Sequence, residues 1–178
     1  MAVLNVHERL LAADPEEVGA LLDALATAGD PLWPHADWPR MVLDRGLAPG
    51  SRGGHGPVRY TVAAHAPGQW VRFTFTGPRG FDGFHEFSVH AVEPGPGARP
   101  ARDEGAAATG APRTILRHTL AMRARGPARL TWPLAFRSFH DACLEDSLDR
   151  AELALTGTVA RPARWSPYVR LLRRLTPG

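Results

Sequence analysis

The stretch Gly80–His90, GFDGFHEFSVH, brings His85, Glu86 and His90 together, the residue types with which a metalloprotease holds zinc and activates water. The spacing defeats that chemistry. Two histidines that share a metal on a helix stand four residues apart on one face, whereas these stand five apart in a segment that alternates like a strand. On a strand an odd spacing sends His85 and His90 to opposite faces, with Glu86 and His90 toward solvent. What survives is His85, a polar point on a face shared with Phe87 and Val89.

Other polar residues fall on apolar faces in the same way. In RTILRHTLAMRAR, His118 alternates in step with Leu116, Leu120 and Met122; in VRYTVAAHA, Tyr60 does so with Val58 and Val62. His118 is the expected companion of His85 on the following strand. Arg137 and His140 precede the strong apolar stripe of the last long segment and are expected to reach the same interior. Such groups can hydrogen-bond one another or orient a ligand's hydroxyl or carbonyl in an otherwise apolar cavity. An imidazole near its ordinary pKa of about 6.5 could also transfer protons. No repeated ligand spacing supports a metal site, so no metal is expected. Asp141 and Glu145, one helical turn apart, are expected on a solvated edge beside Arg137 or Arg150.

Several chemistries are absent from the sequence. There is no GxSxG nucleophile elbow. All 21 basic residues are arginine, which removes Schiff-base chemistry, a lysine base and a Walker-type phosphate loop. Gly46–Gly56 is glycine-rich but lacks the phosphate-binding spacing, and reads as a mobile loop. The single cysteine, Cys143, excludes a disulfide framework and reads as a buried small hydrophobe.

The 178 residues, 44% hydrophobic and 22% charged, suffice for one core without metal or disulfide support. The net charge of +3 comes from arginines scattered among acids, so nucleic-acid binding is not expected. The opening MAVLNVHERLLAADPEE lacks the uninterrupted apolar run of a signal peptide. No stretch is apolar enough to span a bilayer, so neither stable membrane insertion nor any but a cytoplasmic setting is expected.

The elements that must position these residues follow from periodicity. A first strand over 2–12 leads to an Asp14-Pro15 helix start, with Val18, Leu21, Leu22 and Leu25 at helical spacing and Gly29 as the stop. A second Asp-Pro start at Asp30 is broken by Pro34 and Pro39 and predicts a short helical turn, then a brief strand. Three strands alternate cleanly, with Tyr60, then Phe73 and Phe75, then His85 and Phe87 on one face; a turn at 66–69 joins the first two. Residues 93–112 lack any apolar period and are expected to form a flexible hairpin loop. A strand from 113 follows, then a helix carrying Leu144, Leu148, Ala151 and Leu155 as a stripe. Residues 157–178 form a basic amphipathic tail, expected to dock back onto the domain or onto a second subunit as a homodimer.

The DPEEV helix start after the first strand, GGHGPVRYTV, GFHEFSV and the closing LTWPLAFRSFHDACLEDSLDRAELAL together resemble the START-like superfamily, also called SRPBCC or the polyketide cyclase/dehydrase and lipid-transport group. The resemblance covers roughly residues 2–155. It implies an α+β helix-grip fold over residues 1–156: a curved antiparallel sheet wrapped around a long C-terminal helix, with two short helices after strand 1. It also implies an internal cavity for a small hydrophobic, lipid- or polyketide-like molecule, and no cofactor. The cavity would be lined by Tyr60, Phe73, Phe75, His85, Phe87, Leu116, His118, Leu120, Arg137, His140 and Leu144. Two alternatives stand beside this one: a cofactor-free aromatase/cyclase using the cavity His, Tyr and Arg, and a non-catalytic protein-interaction module.

Overall fold

The computed structural model describes residues 1–93 and 112–175. The segment expected as a flexible hairpin loop lies almost wholly outside them. Seven antiparallel strands form one sheet in the order β1-β7-β6-β5-β4-β3-β2. They are β1 (Ala2–Leu11), β2 (Val42–Leu43), β3 (Arg52–His55), β4 (Val58–Ala66), β5 (Trp70–Gly77), β6 (Phe81–Ala91) and β7 (Thr114–Ala124). The helices are α1 (Pro15–Asp23), α2 (Ala128–Thr131), α3 (Arg137–Thr156) and α4 (Pro167–Leu175); a π-helical turn, Trp132–Phe136, joins α2 to α3.

Alternation in the sequence becomes a two-faced sheet. Tyr60, Val62, Val71, Phe73, Phe87, Leu116, His118 and Leu120 are each at most 1% exposed, while the residues alternating with them remain open to solvent or half-buried. An apolar face of this breadth needs an element laid across it. The covering element is α3, which buries Cys143, Leu144, Ser147, Leu148 and Ala151. Gly157 ends α3 in the left-handed conformation and donates its N–H to Leu153 O at 2.9 Å.

The first helix starts as expected. Asp14 precedes Pro15, and the Asp14 N–H donates to the Glu17 carboxylate at 3.0 Å. It ends at Asp23, well before Gly29: Ala26 adopts a positive φ, and its N–H donates to Asp30 Oδ2 at 2.8 Å. The other Asp30 oxygen accepts from the Leu32 and Trp33 N–H groups, both at 2.8 Å. Asp30 thus organises the second Asp-Pro stretch around its own carboxylate. That stretch closes as the short helical turn expected, Trp38 N–H to Pro34 O, and leads into the brief strand β2. The glycine-rich Gly46–Gly56 segment is likewise ordered: it carries β3, whose Gly53 and Gly54 pair with both β2 and β4. A Cβ on Gly53 would lie 1.9 Å from Val42 O, which is why this strand is glycine-rich and shows no alternation.

α4 packs back on the domain. Val169 is 4% exposed and joins the main core, and the Tyr168 hydroxyl donates to Leu134 O of the π-turn. No described helix is long and apolar enough to cross a membrane.

Candidate functional site

Between the sheet and the α2–α3 segment lies a cavity of about 420 Å³, within the range that takes one small organic molecule. Its sheet side presents Phe75, Phe81, His85, His118 and Leu120; its helix side presents Trp132, Phe136, Phe139, His140, Cys143 and Leu144. Trp33, Trp38, His55 and Arg173 complete the wall, and the exposed Gly56 and Pro57 mark where it meets solvent.

Six of the eleven expected lining residues are therefore present: Phe75, His85, His118, Leu120, His140 and Leu144. Tyr60, Phe73, Phe87 and Leu116 are buried on the expected face but pack beneath the cavity wall, inside the core. Arg137 is a correction. Its side chain is 64% exposed, lies 3.6 Å from Asp141, one turn on, and does not line the cavity. It offers no charge to the cavity. Asp141 and Glu145 stand on a partly exposed edge, with Arg137 beside Asp141 as expected; that edge is the seam with β1, where they also meet Asn5, His7 and Arg9.

His85 and His118 do find each other. They stand diagonally on β6 and β7, with His85 Nδ1 3.2 Å from His118 Nε2. The His85 ring stacks on Phe73 at 4.9 Å and Phe75 at 5.1 Å. Burial, followed by the charges of neighbouring histidines, holds both pKa values well below the ordinary histidine value, so both rings are neutral at pH 7. One ring of a neutral pair donates and the other accepts. Whichever way the proton lies, the two outer nitrogens then comprise one N–H donor and one lone pair. Those outer atoms, His85 Nε2 and His118 Nδ1, are buried without a hydrogen-bond partner among the described residues. A second polar pair lies nearby. His55 Nδ1 is 3.2 Å from the Tyr60 hydroxyl, and burial lowers the His55 pKa to about 3 while raising that of Tyr60. His140 is also held below the ordinary value, mainly by burial and against the pull of Asp141.

At the solvent end, Asp146 accepts from both the Trp38 and Trp165 indole N–H groups at 2.7 Å. The Arg173 guanidinium lies over Trp38 at 4.9 Å and Trp165 at 5.6 Å, and donates to Asp37 O. Burial raises the Asp146 pKa, partly opposed by the two indoles. The tail thus contributes directly to the cavity wall.

Three groups of lining residues lay beyond the sequence reading. His55 sits in the glycine-rich segment and has no alternation to announce it. Trp33 and Trp38 belong to the turn built around Asp30. Trp132, Phe136, Phe139 and Cys143 were legible in principle, for they recur at helical spacing; the proline after Trp132 obscured this. Pro133 has no N–H to give and is accommodated in the widened π-turn.

The architecture is the START-like helix grip: a curved antiparallel sheet closed over by a long C-terminal helix, with a cavity between them. No family model matches the sequence, and no curated protein matches it. Solved structures match the fold. A START superfamily protein from Mycobacterium smegmatis aligns with a TM-score of 0.54 at 13% identity, over 86% of this chain and 97% of that one. Truncated norcoclaurine synthase from Thalictrum flavum aligns with a TM-score of 0.56 at 12% identity, over 88% and 95%. CalU16 from Micromonospora echinospora aligns with a TM-score of 0.50 at 12% identity, over 98% and 83%. Identities this low speak for shared architecture alone.

Proposed function

We propose that this protein binds one small, uncharged, largely aromatic or alicyclic molecule bearing a hydroxyl or carbonyl group. The observation that carries this reading is a largely apolar, aromatic-lined cavity whose lining includes the neutral His85–His118 pair, with one donor and one acceptor left unpartnered just behind its surface. Aromatic walls supply affinity through apolar area, and the two free nitrogens supply orientation. A charged group is disfavoured beside the histidines, because burial keeps them neutral; Arg173 brings a charge to the wall only at the solvent end. The comparison structures support the size class: the Thalictrum flavum norcoclaurine synthase has been solved with dopamine and hydroxybenzaldehyde.

A cofactor-free cyclase acting on a polyketide chain is the second reading, favoured by two hydrogen-bonded polar pairs, His85–His118 and His55–Tyr60, that reach one cavity through His85, His118 and His55. It would run proton transfer through these pairs without Arg137. Loss of turnover of a candidate polyketide in His85→Gln would support it, and an unchanged product profile would remove it.

Binding is tested with the neutral fluorophore N-phenyl-1-naphthylamine. The wild-type protein should bind it saturably, with one site per chain. Leu120→Trp, which fills the cavity from the sheet side, should weaken binding by about tenfold or more while the far-UV CD spectrum is retained. Absence of saturable binding, or equal affinity in a folded Leu120→Trp variant, would overturn the reading.

A further inference from the structure

A second polar cluster lies on the seam between β1 and α3 and meets the cavity only at His140. His7 Nδ1 stands 2.8 Å from Glu145 Oε1, and His7 Nε2 stands 3.1 Å from Asp141 Oδ1. His140 Nδ1 is 3.7 Å from the same Asp141 oxygen. Asn5 Nδ2 donates to that oxygen at 2.9 Å, and Arg137 lies 3.6 Å from the other. Arg9 holds Glu145 at 3.3 Å, together with Asp149 and Glu152.

Two features of this cluster are unexplained by the fold. First, both His7 nitrogens face carboxylate oxygens. A neutral imidazole that donates from Nδ1 to Glu145 turns a lone pair at Nε2 toward Asp141, so that contact requires a cation or a second proton. Second, the His140 side chain is only 16% exposed, both its nitrogens are buried, and neither has a hydrogen-bond partner among the described residues. Its 3.7 Å approach to Asp141 is too long for a hydrogen bond.

The geometry points to a divalent transition-metal site, of the zinc class, with His7, His140 and Asp141 as ligands and Glu145 as the carboxylate that orients His7. One donor atom from each of the three lies within 4.8 Å of the others. Ligands at about 2.0–2.1 Å from a tetrahedral zinc stand about 3.3 Å apart, so small side-chain rotations close the set. Two imidazoles and one carboxylate suit zinc and its neighbours, and neither calcium nor magnesium. The His7–Glu145 bond matches the outer carboxylate that fixes the tautomer of a metal-bound histidine. Metal on His140 Nδ1 leaves its Nε2–H as a donor on a residue that lines the cavity. The ligands come from β1 and α3, with His7 and Asp141 separated by 134 positions, so no local spacing in the sequence could announce them.

The test uses the tag-free full chain in competition with a chromogenic zinc chelator, with cobalt(II) absorption as the probe of geometry. Wild type should bind one zinc per chain, and cobalt should give the intense visible bands of a four- or five-coordinate site. His140→Gln and Asp141→Asn should each weaken zinc by about 100-fold, and Glu145→Gln by about tenfold. His65→Ala, at the separate His65–Asp23 pair, should leave binding unchanged. Should a variant fail to fold, the wild type decides alone: ¹⁵N NMR should show His7 and His140 shifting on addition of one equivalent of zinc. No stoichiometric binding, or binding unaltered in folded His140→Gln, would mean that His7 is simply an imidazolium between two carboxylates. The proposal is independent of ligand binding in the cavity, and either can fail alone.

Discussion

His85 and His118 show how burial decides what a side chain can do. The ordinary pKa of an imidazole, near 6.5, suits proton transfer; burial holds both values well below it, which leaves the rings neutral and makes them weaker bases. What remains is a hydrogen-bonded pair with one donor and one acceptor to spare, which in the proposed function orients the ligand. The two residues should be energetically coupled. His118→Leu alone leaves His85 Nδ1 without its partner and should cost about 1–3 kcal/mol in urea unfolding. Adding His85→Phe should cost less than the sum of the two single changes by about 0.5–3 kcal/mol. Strict additivity would show that the 3.2 Å contact carries no energy. This pair was legible in the sequence because both histidines sit in register with aromatic and aliphatic neighbours on adjacent strands. Arg137 was misread because Pro133 obscured the helical spacing of Trp132, Phe136, Phe139 and Cys143, the stripe that faces the cavity and leaves Arg137 off it.

At the level of elements, the solvent end of the cavity depends on one carboxylate. Asp146 of α3 holds Trp38 from the turn and Trp165 from the approach to α4, and Arg173 of α4 covers both indoles. Asp146→Ala removes two hydrogen bonds to a charged acceptor and should destabilise the fold by about 2 kcal/mol or more, read as a lowered urea midpoint. It should also weaken N-phenyl-1-naphthylamine binding, since Trp38 lines the cavity. Unaltered stability and affinity would show that the tail is held by Val169 alone. The tail's amphipathic pattern was plain in the sequence, with Val169, Leu172 and Leu175 at helical spacing. Its docking partner was not, because Asp37, Trp38 and Asp146 come from distant positions. The inner face of β1 has a similar lesson. Asn5, His7 and Arg9 are polar because α3 faces them with Asp141, Glu145, Asp149 and Glu152, an inversion visible only once the two elements are side by side.

Over the whole molecule, burying several neutral histidines ties stability to pH. His55, His85, His118 and His140 have folded pKa values below the unfolded value, His55 at about 3. Below pH about 6.5 the unfolded chain therefore binds more protons than the folded one, and stability falls as pH falls. Each such histidine contributes about 1.4 kcal/mol per pH unit until its folded pKa is reached. His7 acts in the opposite sense: burial lowers its pKa, but bonds and charges from Asp141 and Glu145 outweigh this and raise it. Its stabilisation is full below pH about 6.5 and is lost as pH rises through the folded value. Stability should accordingly peak near pH 7, falling steeply toward acid and gently toward base, in urea titrations run with a metal chelator present. An unchanged midpoint between pH 7 and pH 5.5 would contradict the buried neutral state of these histidines.

The sequence by itself determined the class of fold, the strands with their inward faces, the covering helix and the pairing of His85 with His118. The strands, their faces, the helix and the histidine pair follow from period-two and helical spacing, which any chain must obey to bury one face of a sheet against one stripe of a helix; the class of fold followed from the resemblance to the START-like superfamily. Only the tertiary structure decided the size of the cavity, the places of His55, Trp33 and Trp38 on its wall, and the meeting of His7 with His140 and Asp141. Those depend on turns organised by single side chains and on contacts between the two ends of the chain. No local period records a contact of that kind.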